Sequence, residues 1–207
     1  MSESTSQKIL ALLDEHKVSE KRKQLLNPIV DYILNKIRES KESHLIFICT
    51  HNSRRSQMAQ FWAQYLADYF ELPISAYSGG TEVTKLAPQA AKAIEGLDFT
   101  IEIDRSNASN PRYRLVYEGK KEILLYSKLF SEISDTLPSF ASLMCCSQAE
   151  ETCPFVPGTE LRVALNYEDP KHADGSPNED EAYQKCLMLI GSEINYVFSE
   201  AQKHQQN

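Results

Sequence analysis

The feature that most constrains this chain is a change of pattern at residue 45. Leu45-Ile46-Phe47-Ile48-Cys49 is an unbroken apolar run. A run without polar alternation suits a strand buried on both faces of a parallel sheet. A polar loop follows, and then a helical stretch from Arg55 to about Phe70. The same grammar repeats downstream. ISAYS (74–78) reads as a strand ending in Gly79-Gly80, and Pro88 opens a helix through Glu95. RYRLVY (112–117) and EILLYS (122–127) flank EGKK as a hairpin. SFASLMCC (139–146) and LRVALN (161–166) read as further strands, and a last helix runs from about Asn178 to Gln202. Strands alternating with helices predict an α/β fold with a mainly parallel sheet flanked by helices. Such folds bind ligands beyond the C-terminal ends of their strands.

Residues 1–43 differ in character. They lack Gly and Cys and are nearly charge-balanced, so the net charge of -7 arises after residue 43. A short helix is expected from Ser6 to His16. Leu26, Ile29, Val30, Ile33, Leu34 and Ile37 recur at spacings of three and four, an amphipathic helix for which Asn27-Pro28 supplies an N-cap and first-turn proline. The division predicted is a helical extension over 1–43 and an α/β domain over 44–207. The apolar stripe either packs on that domain or forms a homodimer surface.

The acidic balance excludes nucleic-acid binding by bulk charge. No apolar run approaches the ~20 residues of a membrane span, and the N-terminus lacks the basic start and apolar core of a secretory signal. A cytoplasmic location is expected. Five cysteines, Cys49, Cys145, Cys146, Cys153 and Cys186, make a poor disulfide framework in a reducing compartment.

The chemistry concentrates in Cys49-Thr50-His51-Asn52-Ser53-Arg54-Arg55-Ser56, a C-x5-R-S segment between strand and helix. A loop wrapping ahead of a helix start turns backbone N–H groups inward, and the helix N-terminus adds a positive field. Arg55 can grip two oxygens of a tetrahedral anion at once. The same field favours the Cys49 thiolate, and Ser56 can donate to it. Asn52 tolerates the left-handed backbone that a tight wrap needs. The product is a nucleophile beneath a bound oxyanion, with Thr50, His51, Asn52, Ser53, Arg54, Arg55 and Ser56 as its binding residues.

FICTHNSRRSQMAQ resembles the phosphate-binding loop of the low-molecular-weight protein tyrosine phosphatase superfamily, which includes the thioredoxin-coupled arsenate reductases. The resemblance covers roughly residues 44–200 and implies flavodoxin-like strand order. Cys146-Ser-Gln-Ala-Glu-Glu-Thr-Cys153-Pro154 resembles the redox segment of those reductases. It implies that Cys146 attacks a Cys49–arsenate adduct and that Cys153 carries the disulfide outward, to thioredoxin or a small thiol. Cys145 competes with Cys146 for the relay. Tyr167-Glu168-Asp169-Pro170 resembles the family's Asp-Pro element, which implies Asp169 as proton donor to the leaving group, with Glu168 as fallback. Ser78-Gly79-Gly80-Thr81-Glu82 resembles a small-residue segment supporting the loop.

The chain also departs from the family. His51 stands where Gly is frequent, and Arg54 replaces a cysteine common to both branches. Gln60 stands where some reductases have a potassium-binding glutamate, and Lys171 follows Asp-Pro where phosphatases carry an aromatic residue. The stretch 98–128 looks like an insertion. No cofactor is called for, and no histidine or second cysteine pair is placed to make a metal site with Cys146 and Cys153. The leading expectation is an arsenate reductase using Cys49, Cys146, Cys153, Arg55 and Asp169. A phosphatase acting on phosphomonoesters through a phosphocysteine is the alternative, and a thiol redox or oxyanion sensor the third. Trp62 and Cys186 read as packing residues.

Overall fold

Apolar residues of β1 (Ser43–Cys49) are covered on both sides, and every one from Leu45 to Cys49 is buried. In this computed structural model, which describes residues 3–117, 121–152 and 156–205, β1 pairs in parallel with β2 (Ile74–Gly80) on one side. On the other it pairs in parallel with β6 (Phe140–Met144), which in turn pairs with β7 (Thr159–Ala164). The order β2-β1-β6-β7 is 2-1-3-4 counted within this sheet, the flavodoxin-like arrangement. The C-terminal ends of β1 and β6 therefore lie side by side, and Cys49 and Cys146 follow from them.

Helix α3 (Arg55–Tyr69) runs from the loop after β1, and the long α7 (Glu179–Gln205) packs against it. Their contact is fixed by Trp62, whose Nε1 donates to the Leu187 carbonyl at 2.7 Å. Trp62, Phe61 and Tyr65 are fully buried and form an aromatic cluster with Phe99 and Tyr117. Helix α4 (Pro88–Glu95), with proline in its first turn, also packs on α7.

Between α4 and β6 lies a second sheet. The hairpin strands β4 (Arg112–Tyr117) and β5 (Lys121–Leu125) are joined by β3 (Thr100–Asp104) in an antiparallel three-stranded sheet. β3 escapes a pattern search because TIEID alternates with acidic residues and none of it is fully buried. A short helix, α5 (Ser131–Ser134), returns the chain to β6.

The extension is helical, with two corrections. α1 spans Glu3–Glu15, and α2 spans Glu20–Arg38. The start of α2 is capped by Ser19, whose hydroxyl accepts from Arg22 N–H at 3.3 Å, not by Asn27-Pro28. Pro28 sits inside the helix, where it forgoes one backbone bond, and Asn27 accepts from Tyr196 Oη at 2.8 Å. The charged first turns EKRK carry no apolar signal, which hides the true start. Leu26, Ile29, Val30, Ile33 and Leu34 are buried in the common core with Ile9 and Leu13 of α1. Each fully buried side chain of this size contributes roughly 1.5–3 kcal/mol. Most of the stripe is thus packed within the chain. Among the described residues no helix is long and apolar enough to cross a membrane.

Candidate active site

Cys49 ends β1 and Arg55 opens α3, so the loop between them must turn within five residues. Its carbonyls are tied outward. Thr50 O accepts from Glu82 N, His51 O from Thr84 Oγ1 and Ser127 Oγ, Asn52 O from Gln57 Nε2, and Ser53 O from Ala87 N, all at 2.9–3.0 Å. In planar trans peptides the following N–H groups face the other way, so those of His51 to Arg54 turn to the inner side of the loop. Asn52 takes φ 45°, in the left-handed region that asparagine tolerates. Gly80 lies so close that a Cβ there would meet Thr50 O at 2.7 Å and Asn52 N at 2.9 Å. That close approach is the reason for the small-residue segment after β2.

At the base, Cys49 Sγ is 3.0 Å from Ser56 Oγ, which also accepts from Asn52 Nδ2 at 2.8 Å. The Asn52 amide oxygen in turn accepts from Gln57 Nε2 and Lys128 N–H. Gln57 Nε2 also donates to Tyr126 O at 2.8 Å. The segment returning from the second sheet, 126–128, thereby braces the loop. Lys128 is buried, and its amine is held down at about 8 by that burial.

Arg55 donates from Nη1 to Tyr167 O at 2.9 Å and from Nη2 to Asp169 Oδ2 at 2.8 Å, while its buried Nε has no hydrogen-bond partner among the described residues. Arg54 grips the same carboxylate, Nε to Oδ1 at 2.8 Å and Nη2 to Oδ2 at 3.2 Å. Asp169 also accepts from Lys171 N–H as the cap of a 3₁₀ turn, Pro170–Ala173. Burial opposes ionisation of Asp169, but the Arg54 hydrogen bonds and the charges of Arg55 and Arg54 outweigh it and hold the carboxyl below its usual range. Glu168 is on the solvent side beside His172.

Cys146 is buried next to the loop, with Sγ 3.6 Å from Thr50 Oγ1. It stands at the start of α6 (Ser147–Thr152), and Ala149 N–H donates to its sulfur at 3.3 Å. The polar segment SQAEET after Cys146 is thus helical. Cys145 points elsewhere: its Sγ contacts Leu143 O at 3.6 Å, and complete burial, with Cys49 next, raises its thiol. Cys186 contacts Glu168 O at 3.8 Å and is pushed up to about 12 by burial. Cys153 lies outside the described residues.

Two expected binding residues are placed differently. The His51 side chain turns outward, its Nε2 3.5 Å from Glu82, so only its backbone belongs to the loop. The Arg54 side chain is spent on Asp169 rather than lying free at the rim. Among the described residues no cluster of His, Cys, Asp and Glu is arranged to hold a metal.

Arsenate reductases are the chain's relatives in sequence. That of Bacillus subtilis is 31% identical over 152 residues, covering 72% of this chain and 91% of the relative. That of Bacillus cereus is 31% identical over 157 residues, covering 75% and 93%. The chain belongs to the low-molecular-weight protein tyrosine phosphatase superfamily, with arsenate reductases as its relatives. No family model matches the chain. Solved structures of this superfamily share the fold. A low-molecular-weight phosphotyrosine phosphatase from Vibrio cholerae matches with TM-score 0.52 at 15% identity, over 80% of this chain and 99% of that one. An arginine phosphatase from Geobacillus stearothermophilus matches with TM-score 0.51 at 16% identity, over 79% and 96%. The reductases and phosphatases of this superfamily are enzymes, and the chain is one of them.

Four residues that brace the loop or its arginine are not marked as such by any motif. Ser127 and Lys128 reach it from 76 residues away. Gln57 was visible only as part of the R-S-Q-M-A string. Tyr167 acts through its carbonyl, which any residue type supplies.

Proposed function

We propose that the chain reduces arsenate to arsenite. The observation that carries the reading is the meeting, at one loop, of Cys49, the unpaired Arg55 Nε and Cys146 behind Thr50. The inner amides of residues 51–54 and Arg55 hold the oxyanion. Arg55 turns Nη2 from Asp169 to the anion, and Asp169, now facing a new negative charge with one arginine fewer, takes up a proton. Cys49 attacks arsenic as the thiolate, with Ser56 Oγ placed to donate to it. One As–O bond breaks, and the oxygen leaves as water with its proton from Asp169. Cys146 then attacks Cys49 Sγ. The S–As electron pair passes to arsenic, As(V) becomes As(III), arsenite departs, and a Cys49–Cys146 disulfide remains. Cys153 attacks Cys146 and releases Cys49, and an external dithiol, thioredoxin or a small thiol, reduces the Cys146–Cys153 bond. The short α6 between the two cysteines offers few bonds to break for that exchange.

A phosphatase reading needs only Cys49, Arg55 and Asp169. The two separate in one experiment. Purified protein is given arsenate and a thioredoxin system, reductant consumption is followed, and hydrolysis of an aryl phosphate is measured in parallel. Cys146→Ser abolishes arsenite formation and spares any hydrolysis, while Cys49→Ser abolishes both. Undiminished arsenite formation by Cys146→Ser defeats the relay.

A further inference from the structure

Helix α2 lies outside the resemblance to the family, yet one of its side chains ends behind the catalytic arginine. Arg22 makes a two-point ion pair with Glu193 of α7, Nε to Oε1 at 2.6 Å and Nη2 to Oε2 at 2.9 Å. The Glu193 carboxylate is almost wholly buried, with its side chain 4% exposed. The Arg22 guanidinium also lies 5.2 Å from the centre of the Tyr167 ring. Tyr167 is itself buried, and its hydroxyl faces the Glu193 carboxylate and the Arg22 guanidinium. Its ring and hydroxyl are therefore held by packing and by the charged pair. The backbone of the same residue does the visible work at the site. Tyr167 O accepts from Arg55 Nη1, Tyr167 N–H donates to Cys145 O at 3.1 Å, and Asp169 follows two residues on.

We propose that Arg22 and Glu193 are positioning residues: as a pair they fix the Tyr167 ring, so that its carbonyl aims Arg55 at the oxyanion. This rests on the oxyanion reading of the loop. The physical ground is that a bidentate arginine–carboxylate pair fixes direction as well as distance, and a guanidinium over an aromatic face restrains the ring. It gives the extension a task at the active site besides covering the core. A second polar link between extension and domain serves as control. Lys36 pairs with Glu160 at 2.6 Å and bonds Ser139, and neither partner touches Tyr167.

The test uses the full chain and inorganic phosphate as probe, its dissociation constant measured by calorimetry and folding followed by thermal unfolding. Replacing both members of a buried pair by apolar residues of similar size preserves packing. Arg22→Met/Glu193→Met is therefore expected to keep the wild-type melting temperature within a few degrees while binding phosphate about fivefold more weakly, some 1 kcal/mol. Lys36→Met/Glu160→Met binds as wild type does. Arg22→Lys, which keeps the charge and loses the fork, falls between. Should the double variant fail to fold, Glu193→Gln, nearly isosteric, carries the same expectation for binding. Wild-type affinity in the folded Arg22/Glu193 variants overturns the proposal, and so does equal weakening by the Lys36/Glu160 control. If wild type itself does not bind phosphate, the oxyanion reading fails instead, a distinct result.

Discussion

On the proposed reading Asp169 competes with the oxyanion for Arg55, which makes Asp169→Asn a variant with two effects of opposite sign. The carboxylate accepts three guanidinium N–H bonds, two from Arg54 at 2.8 and 3.2 Å and one from Arg55 at 2.8 Å. An anion that recruits Arg55 Nη2 must break the last of these. A hydrogen bond to a charged group contributes about 1.5–3 kcal/mol. The Asp169 side chain is 30% exposed, so solvent screening brings the figure down to about 1–1.5 kcal/mol. Asparagine keeps a neutral acceptor and with it part of the bond. The net gain in phosphate affinity on Asp169→Asn is therefore about 1 kcal/mol, roughly fivefold. On the same reading turnover moves the other way, because the leaving oxygen loses the proposed proton donor, a loss of about 10²–10⁴. Phosphate binding by calorimetry and turnover of arsenate or an aryl phosphate measure the two terms on one preparation. Phosphate binding that is unchanged or weaker in the variant refutes the competition. Turnover within a few-fold of wild type refutes the acid role.

Three further outcomes follow from burial and charge. Asp169 has its folded pKa below the unfolded value of about 3.9, so its stabilisation is complete above that value and is lost as pH falls through the folded one. Wild type should lose more stability than Arg54→Ala between pH 6 and pH 3, read from urea midpoints, and equal losses would show the pair to be inert. Lys128 carries the opposite case of a cation depressed to about 8. The unfolded chain then binds more protons between pH 8 and about 10.4, and the cost of burying the amine shrinks across that window. Lys128→Met should stabilise at pH 7 by up to about 3 kcal/mol and by progressively less toward pH 10, and a pH-independent difference would contradict the buried charge. Leu13 is 1% exposed, and its methyl fills the notch at Gly191, where an added Cβ would meet it at 2.7 Å. Leu13→Ala should cost about 2–5 kcal/mol and lower the melting temperature by roughly 5–15 °C, whereas a surface-bound α1 would give almost no shift.

What the residues declare in advance is local, and what they conceal is the set of long-range polar partners. β1, the loop and α3 announce themselves because an apolar run, a C-x5-R-S string and a helical pattern abut within residues 45–70, and the parallel order follows from the alternation. β3 is silent because a half-exposed strand of alternating acids resembles a loop. The start of α2 is silent because its first turns are charged, and Pro28 then points to a false beginning. Arg54 shows the limit most clearly. A second arginine beside the first reads as extra positive charge for substrate, since sequence reports charge but not its destination. The fold brings Asp169 from 115 residues away and spends the charge there.

That destination changes what the positive field of the loop means. An acidic chain must bind an anion through local dipoles and a few aimed charges, and this one holds its two adjacent arginines on an internal carboxylate. Ionised Asp169 keeps both guanidinium groups ordered, so the entropy of fixing two long side chains is met in folding rather than at binding. On the proposed reading an oxyanion meets a preorganised Arg55 and displaces a single contact to claim it, while Arg54 continues to hold Asp169 within reach of the leaving oxygen. The same exchange couples binding to acid strength. On that reading, as the anion takes Arg55 the carboxyl gives up one of the positive charges that hold its pKa down, and so accepts more readily the proton that the chemistry requires. A cysteine at position 54 would leave Asp169 with one arginine, easier to protonate but less firmly placed. The Arg54 substitution thus exchanges readiness of the acid for its position.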